Sequence, residues 1–357
     1  MSKQIPYKKW LVYFFLIVII IMTILITLAY IIDPFFKFRV KDNVYMLDGW
    51  FVSAGLTKNY DYDTYIIGSS MTQNFNMDIF REKLQVKPLH IGLGGITPKE
   101  INEYIDLAYK TGKAEQYYIC VDLPTFTNEE SSRNISYLMK DDLLSNLRYL
   151  LSYEVWFRYV PVDTALLISN KLNINLPLKV KTKQSIDKLE DWSLDHKFGK
   201  DIVIKNYLDS KYDVSEVDTN DLYNKMIQNF DSFISKFDFN NGKHVFFFPP
   251  YSSLFWCKAQ DKEYYDTYLQ VKNYMIKSIL EKGGTVYDFQ FADITTDLNN
   301  YKDITHYSTD INNWIVECFA DSNSEYIVNE NNIEQHQNKI NENTKVFRSN
   351  NEELFNK

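Results

Sequence analysis

The chain has 357 residues, of which 45% are hydrophobic and 24% are charged, and its formal net charge is −8. This hydrophobic content is enough for a buried core and argues against a disordered chain. The negative charge argues against broad binding of nucleic acid, because phosphates attract clustered cations. We therefore expect a folded protein without a nucleic-acid partner. Aromatic residues make up 16% of the chain, which suits a core and also suits stacking against sugar rings.

The first element along the chain is an apolar segment, LVYFFLIVIIIMTILITLAYII, which runs from Leu11 to Ile32 without a charge. Its 22 residues would form a helix of about 33 Å, long enough to cross a bilayer. Lysines precede it within residues 1–10, so the positive-inside rule predicts a cytoplasmic tail and an extracellular remainder. No small-x-small cleavage site follows, and the segment therefore predicts an uncleaved, single-pass anchor in the cell membrane.

Beyond Asp33, short apolar runs alternate with longer amphipathic segments. Strands are predicted at TYIIG (64–68), PLHIGL (88–93), QYYICVDL (116–123), HVFFFPP (244–250) and TVYDF (285–289). Helices are predicted at 76–84, at 97–112 with a capping box of Thr97 and Glu100, around 221–236 and around 262–282. The strands are continuous apolar runs, which is typical of a parallel sheet covered by helices. The sequence thus predicts an α/β fold.

The remaining segments complete the predicted domain layout. Residues of about 127–220 form a long insertion that we expect to be mostly helical and to cap an edge of the sheet. The extracytoplasmic domain is predicted to cover 33–325, and 326–357 to form a polar helix and tail. Cysteines are too few and too scattered for a disulfide framework or a CxxC metal site, and we expect them to be buried: Cys120, Cys257 and Cys318. We expect neither a metal nor a cofactor.

Reactive groups in an open parallel sheet are expected in the loops at the carboxyl ends of the strands. Such loops are GSSMTQNF after the first strand, GLGGIT after the second and PPYSSLFW after the fourth. Beyond the last strand, YKDITHYS places Asp303 three residues before His306. A serine hydroxyl needs an imidazole to accept its proton, and the imidazole needs a carboxylate to orient it. These loops therefore predict acyl transfer by a serine, a histidine and an aspartate.

The blocks GSS, GLGG and DITH, in this order, resemble those of the SGNH (GDSL-like) hydrolase superfamily. The chain is further similar to membrane-anchored, extracytoplasmic members of bacterial cell-envelope polysaccharide systems, such as the teichoic-acid D-alanylation and alginate O-acetylation proteins. That likeness rests on DPFF (33–36), YDYDTYIIGSSMTQNF (60–75), VDLPTF (121–126), FFFPPYSS (246–253) and DITHYS (303–308). It covers roughly residues 33–325 and implies a flavodoxin-like, three-layer α/β/α sandwich.

The resemblance also implies roles for individual residues. Ser70 corresponds to the nucleophile, and Ser69 stands where many members have an aspartate. His306 corresponds to the general base and acid, oriented by Asp303. The backbone N–H groups of Ser70 and of Gly95, with Gly94 as the alternative, would donate to the oxyanion.

One block departs from the family pattern. Many members have an asparagine after the third strand that completes the oxyanion hole, whereas this chain reads VDLPTF, in which Asp122 or the Thr125 hydroxyl would line the site. Tyr251 and Trp256 either stack against a sugar or pack in the interior. Asn74 either returns to the site or caps a helix.

The implied function is O-acylation of a surface polysaccharide. A membrane-bound O-acyltransferase partner would supply an acetyl or other small acyl group, which Ser70 would hold and pass to a glycan hydroxyl. Removal of an ester uses the same residues, so a polysaccharide deacetylase or esterase is an alternative. A non-catalytic glycan-binding or scaffold subunit of a polysaccharide-synthesis complex is another, because fold does not fix function.

Overall fold

The computed structural model describes residues 7–41, 48–127, 133–174, 186–188, 196–210 and 218–355. The chain forms two compact units, of which the first combines Met1–Tyr60 with Asn134–Gln184. The second combines Asp61–Arg133 with Ser185–Lys357. The predicted insertion at 127–220 is therefore divided, because Asn134–Gln184 belongs to the first unit and the residues on either side of it belong to the second. Residues 1–6 of the predicted cytoplasmic tail, like parts of that insertion, lie outside the described residues.

The secondary structure of the described residues is mostly helical. The α-helices are α1 (Tyr7–Ile32), α2 (Gly49–Asn59), α3 (Met77–Ile79), α4 (Pro98–Thr111), α5 (Ser136–Met139), α6 (Leu143–Leu150), α7 (Val160–Leu172), α8 (Lys200–Ser210), α9 (Thr219–Ile234), α10 (Ser253–Asp261), α11 (Tyr265–Glu281), α12 (Thr309–Ala320), α13 (Ile333–Asn350) and α14 (Glu352–Phe355). The strands are β1 (Thr64–Gly68), β2 (Pro88–Gly92), β3 (Gln116–Cys120), β4 (Lys243–Phe248) and β5 (Thr285–Asp288). Single π-helical turns follow α3 and precede α7.

The first unit begins with α1, a 26-residue helix of mean hydropathy 3.1 in its most apolar window. Among the described residues it is the one helix long and apolar enough to cross a membrane. The helix ends at Ile32, and the next residue, Asp33, has a backbone φ of +39. The Asp33 carboxylate accepts hydrogen bonds from the backbone N–H groups of Lys37, Phe38 and Arg39 at 3.0–3.1 Å. It also accepts one from the Tyr149 hydroxyl at 2.8 Å, so the chain leaves α1 in a fixed direction.

The rest of the first unit packs closely around the chain that follows α1. Gly55 of α2 lies against that backbone, and a Cβ there would come within 2.2 Å of the Phe35 carbonyl oxygen. The Phe35 ring stacks on Phe51 at 4.6 Å and contacts Tyr159 at 4.8 Å. The buried Lys37 ammonium donates to carbonyl oxygens of the α5 region, including that of Leu138 at 3.2 Å. The Lys37 ammonium is thus buried together with hydrogen-bond acceptors, as is usual for a buried polar group.

The second unit contains a five-stranded sheet in the order β2-β1-β3-β4-β5, and every pair of neighbouring strands is parallel. Each strand starts within one residue of its predicted start and ends at most three residues before its predicted end. The predicted α/β fold with a parallel sheet is confirmed. From β1 the chain continues to β2 on one side of the sheet, and from β3 it continues to β4 and β5 on the other side. The strand order therefore reverses between β1 and β3, which is the topological switch point. The loops after β1 and β3 therefore meet at a crevice.

Helices cover both faces of this sheet because neighbouring strand residues point to opposite sides. On one face, Tyr117 contacts Tyr109 of α4 at 5.2 Å, and α9 packs against α4 and α11. On the other face, Tyr118 contacts Phe80 at 5.8 Å and Phe319 of α12 at 5.0 Å. Both faces are thus apolar, which explains the unbroken apolar runs in the strands.

Two further parts of the second unit bear on the predictions. The capping box of α4 is present, with the Thr97 hydroxyl accepting from the Glu100 N–H and the Glu100 carboxylate accepting from the Thr97 N–H. In the segment 326–357, for which a polar helix and tail were predicted, α13 forms and packs against α10. The helix α10 itself was not predicted from the apolar pattern. The cysteines are free thiols and are buried: Cys120, Cys257 and Cys318.

Candidate active site

The serine pair lies in the turn that follows β1. Gly68 ends the strand, and a Cβ at this position would lie 2.6 Å from side-chain atoms of Cys120 and Thr72, so only glycine fits. The Thr72 N–H donates to the Ser69 carbonyl at 3.1 Å, and the next N–H donates to the Ser70 carbonyl at 3.3 Å. The tight turn leaves the side chain of Ser69 buried and that of Ser70 half-buried. The two serines therefore face different surroundings.

Ser70 forms a relay with the loop beyond β5. Its Oγ lies 2.7 Å from Nε2 of His306, a residue 236 positions further along the chain. Nδ1 of His306 lies 2.8 Å from Oδ2 and 3.0 Å from Oδ1 of Asp303. With the carboxylate accepting from Nδ1–H, Nε2 is left as the acceptor for the serine hydroxyl. The structure thus brings together the three residues predicted as a triad, in the geometry of nucleophile, base and orienting acid.

The Asp303 carboxylate is held by its own loop as well as by the imidazole. Its Oδ1 accepts from the backbone N–H of Thr305 at 2.9 Å and from that of His306 at 2.8 Å. Burial acts to raise the pKa of Asp303, but the hydrogen bond and charge of His306 and these backbone donors outweigh it. The pKa of Asp303 therefore lies well below its usual range, and the group is ionised at neutral pH.

The loop that carries His306 is fixed at both sides. Tyr301 and Tyr307 form an antiparallel bridge that closes it. After β4, the Ser252 backbone N–H and hydroxyl both donate to the Ile304 carbonyl, at 3.1 and 2.7 Å. The imidazole is thus positioned by backbone contacts that do not depend on substrate.

Asn74 connects the serine turn to the histidine loop. Its side chain is 1% exposed, donates to the Tyr307 carbonyl at 2.8 Å and accepts from the Asn312 amide of α12. The cap of the next helix is Asn76 instead. Asn74 therefore reaches the site as a buried bridge between its two halves, and its burial leaves no surface for substrate contact.

Asp122 follows β3 at the switch point, beside Ser69. Its carboxylate accepts from the Ser69 hydroxyl at 2.6 Å and from the Tyr251 hydroxyl. Burial, and then the adjacent Asp122, raises the pKa of Tyr251 well above its usual value, so the phenol remains a donor. The Thr125 hydroxyl is 3.4 Å from the same carboxylate. The position after β3 therefore carries a hydrogen-bond acceptor that other hydroxyls already occupy.

Tyr251 and Trp256, for which the sequence left sugar stacking and interior packing as alternatives, lie in the interior. Tyr251 is 0% exposed and Trp256 is 1% exposed. The Tyr251 ring packs on Phe255 at 4.5 Å, and the Trp256 ring on Tyr265 at 5.7 Å. Stacking on a sugar requires an accessible ring face, which neither residue has, so these rings act as core and not as a glycan platform.

A cavity of about 730 Å³ opens in front of the relay. Ser70, His306, Gly95 and Thr125 line it. Gly95 has φ +68, a backbone conformation that favours glycine, and it follows Gly94, which lies next to Gln73. Of the two glycines considered as oxyanion donors, Gly95 is the one on the cavity wall.

Two cations lie on the same wall, Arg133 and Lys225. The Arg133 guanidinium lies 3.4 Å from the Gly95 carbonyl oxygen and 3.4 Å from a Glu100 carboxylate oxygen, which orients it along the Gly95 loop. Lys225 is exposed. The cavity wall therefore carries two cations, of which Arg133 is paired with Glu100, together with the Asp122 carboxylate.

No protein-family model and no curated protein matches this chain. Among the described residues, no group of three His, Cys, Asp or Glu side chains is placed to hold a metal ion.

Several contacts of the site were not anticipated from the sequence. The Ser252 contact with Ile304 and the hydrogen bond of Ser69 to Asp122 join residues that are 52 and 53 positions apart. Nothing in the local pattern specifies such pairings. Arg133 lies in a polar loop, and no helical or strand periodicity would assign it to the cavity.

Proposed function

We propose that this chain is a membrane-anchored, extracytoplasmic O-acyltransferase of the SGNH hydrolase type that carries an acyl group on Ser70. The observation that supports it best is the relay from Ser70 through His306 to Asp303, which faces a cavity at the switch point of a parallel sheet. α1 would serve as the anchor, with the N-terminus in the cytoplasm as the preceding lysines indicate.

The relay suggests the course of the first half-reaction. The Ser70 oxygen attacks the carbonyl carbon of the acyl donor while Nε2 of His306 takes the hydroxyl proton. The tetrahedral intermediate collapses, the bond to the donor oxygen breaks, and His306 returns the proton to that leaving oxygen. Asp303 stays ionised and stabilises the imidazolium that forms between these steps. The product is an ester on Ser70.

In the second half-reaction an acceptor hydroxyl takes the place of the leaving group. His306 removes its proton, the acceptor oxygen attacks the Ser70 ester, and Ser70 recovers its proton from His306 as the acyl group departs. The backbone N–H groups of Ser70 and Gly95 are the proposed oxyanion donors. Asp122 supplies none, because a carboxylate accepts hydrogen bonds. A site with fewer donors suits transfer of an activated acyl group better than rapid hydrolysis.

The acceptor that we propose is a hydroxyl of a surface polysaccharide. A protein tethered outside the membrane has no access to cytoplasmic acyl donors, so a membrane-bound O-acyltransferase partner would export the acyl group. Arg133 and Lys225 at the cavity mouth would attract carboxylate or phosphate groups along such a chain. The cavity lining includes the hydroxyl-bearing residues Thr97, Thr125 and Thr305, which suits a hydrated glycan chain.

Removal of an ester from the same polysaccharide is the second candidate, and it is favoured by the same relay, since water can replace the acceptor hydroxyl. A scaffold subunit without catalysis is the third. The hydrogen bonds that align His306 between Asp303 and Ser70 argue against this last candidate, because a site without chemistry has no need of an oriented imidazole.

The adjacent serines offer a matched test of the nucleophile. The full-length chain in lipid nanodiscs is treated with a fluorophosphonate reagent and, separately, with p-nitrophenyl acetate. We expect the reagent to modify Ser70, and Ser70→Ala to lose labelling and at least 10³-fold in esterolysis. Ser69→Ala removes a hydrogen bond to Asp122 and should keep the label, with a loss of about tenfold at most. Equal behaviour of the two variants would contradict the proposal.

An assay in cells distinguishes the transferase from the esterase and from the scaffold. The acyl-ester content of the surface glycan is measured in a deletion strain complemented with the parent chain or with Ser70→Ala. A lower ester content with Ser70→Ala supports the transferase, and a higher content supports the esterase. An ester content unaffected by Ser70→Ala but lowered by deletion of the whole chain would point to the scaffold.

A further inference from the structure

The first unit has a run of exposed apolar side chains in one segment, residues 151–174. Its exposed members are Leu151 (39%), Tyr153 (66%), Phe157 (72%), Ile168 (52%), Leu172 (62%) and Ile174 (50%). The rings of Tyr153 and Phe157 stack at 4.8 Å, so that they form one surface. Single exposed apolar residues are common, but a clustered set on a soluble surface marks an interaction site.

The position of this segment indicates its surroundings. α7 starts beside the chain that leaves α1, where the Tyr159 ring contacts Phe35 at 4.8 Å, and α7 packs against α1. Most of α1 is exposed, but one stripe of its C-terminal half is partly or fully covered: Met22, Leu25, Ile26, Leu28, Ala29 and Ile32. These residues recur at helical spacing on one face of α1.

The length of the covered stripe on α1 indicates how far into the membrane the covering element extends. Met22 and Ile32 are ten residues apart, which is about 15 Å along the helix and therefore about half of a hydrocarbon core of roughly 30 Å. An element that covers this stripe must share the membrane depth of the C-terminal half of α1. Of the elements in the first unit, α6 and α7 pack against α1, and α7 belongs to the exposed apolar segment.

We propose that segment 151–174 lies in the membrane leaflet that contains the C-terminal half of α1, with its exposed apolar side chains in contact with lipid. This inference rests on α1 spanning the bilayer and is independent of any acyl-transfer chemistry. Apolar area that costs free energy in water stabilises the protein when lipid covers it. The segment and α1 thus form a two-element membrane attachment.

Charges at the end of α1 fit this placement. Arg39 donates to the Tyr30 carbonyl at 2.7 Å, and Lys41 donates to the Ile32 carbonyl at 3.1 Å, so two cations complete the last turn of α1 at the level of lipid headgroups. Arg158 and Lys171 of the segment have long side chains that can extend to the same level. Tyr153, with an apolar ring and a polar hydroxyl, suits the interface.

Nitroxide accessibility tests the placement in the full-length chain in lipid vesicles. Cysteine is introduced singly at Phe157, Ile168, Ile17 and Lys282, and each variant is spin-labelled. The native cysteines are buried: Cys120, Cys257 and Cys318. The spin label therefore reacts selectively with the introduced thiol. Collision with oxygen and with a water-soluble nickel complex gives the depth of each label. Ile17, 57% exposed on α1, is the lipid reference, and Lys282, exposed in the second unit, is the water reference.

The expected result is that labels at Phe157 and Ile168 favour oxygen over nickel, as the Ile17 label does, while the Lys282 label favours nickel. Water-like values at Phe157 and Ile168 together with a lipid-like value at Ile17 would overturn the proposal while leaving the anchor intact. Protection of the two labels only after co-reconstitution with a membrane-bound acyltransferase would also overturn it, since the surface would then be a protein-binding one.

Discussion

Replacement of Asp303 by asparagine tests the relay at a single atom. In the structure, Oδ1 accepts from the N–H groups of Thr305 and His306 and lies 3.0 Å from Nδ1 of His306, whereas Oδ2 lies 2.8 Å from the same Nδ1. An asparagine that keeps its oxygen on the two backbone donors places its NH₂ group at the Oδ2 position, which makes the shorter contact with Nδ1. An NH₂ donor there favours the imidazole tautomer with its proton on Nε2, and Nε2 then faces Ser70 as a donor that cannot accept the hydroxyl proton.

The expected loss is about 10⁴-fold in turnover, or about 5.4 kcal/mol of transition-state stabilisation at 1.36 kcal/mol per factor of ten. The fold should be retained, because the oxygen that caps the loop is conserved in the variant. The rate of p-nitrophenol release and the rate of fluorophosphonate labelling at Ser70 are measured for parent and variant. Asp310→Asn, the same change at an exposed position of α12, is the matched control and should leave both rates unchanged.

The pH profile strengthens this test. Because the pKa of Asp303 is held well below its usual range, lowering the pH to 5 leaves its carboxylate ionised and does not reproduce the variant. Asp303→Asn should therefore be slow at every pH between 5 and 9. A variant within about tenfold of the parent, alongside an inactive Ser70→Ala, would show that Asp303 does not orient the imidazole and would refute the reasoning.

Three further predictions concern stability and the cavity wall. Asp288→Asn removes the carboxylate that lies 2.7 Å from the buried Lys272 ammonium, and it should lower the free energy of unfolding by about 3–5 kcal/mol in urea denaturation. The control Glu342→Gln, which breaks the exposed pair with Lys339, should lower it by under about 1 kcal/mol. Burial lowers the pKa of His90 from 6.5 to about 4, so the unfolded chain binds one more proton than the folded chain between these pH values. The free energy of unfolding should therefore fall by roughly 3 kcal/mol as the pH drops from 6.5 to 4, and His90→Gln should reduce this pH dependence, as measured by calorimetry across the same pH range. Gly95→Ala adds a Cβ in ordinary contact with the Arg133 guanidinium, 3.7 Å away, but must adopt φ +68, so it should lower stability by about 1 kcal/mol and slow acylation. Denaturation and labelling rates would report these effects, and an unchanged labelling rate would remove the Gly95 loop from the proposed oxyanion site.

The features that the sequence predicted well are those encoded by local patterns. The strand TYIIG coincides with β1, and the capping box at Thr97 opens α4 as the spacing requires. The pairing of Asp303 with His306 is also local, because both lie in one short loop. The meeting of His306 with Ser70 followed from the rule that strand ends share one edge of a parallel sheet.

The features that the sequence could not give depend on burial and on distant contacts. Tyr251 and Trp256 lie in a segment whose polar and aromatic residues alternate without a clear period, and only the packed structure shows that their rings point inward. The hydrogen bonds of Asp122 depend on how two loops meet, which composition does not encode. The division of the insertion between two units likewise arises from contacts with α1 that no local pattern reveals.

The separation of Ser70 and His306 has a consequence for the life of the chain before it is complete. The two residues are 236 positions apart, so at a synthesis rate of about 5–20 residues per second the serine precedes the histidine by roughly 12 to 47 seconds. During that interval the growing chain carries a hydroxyl without its base. The proposed chemistry can begin only after β5 and the loop beyond it have emerged and folded, which delays reactivity until the chain is nearly finished.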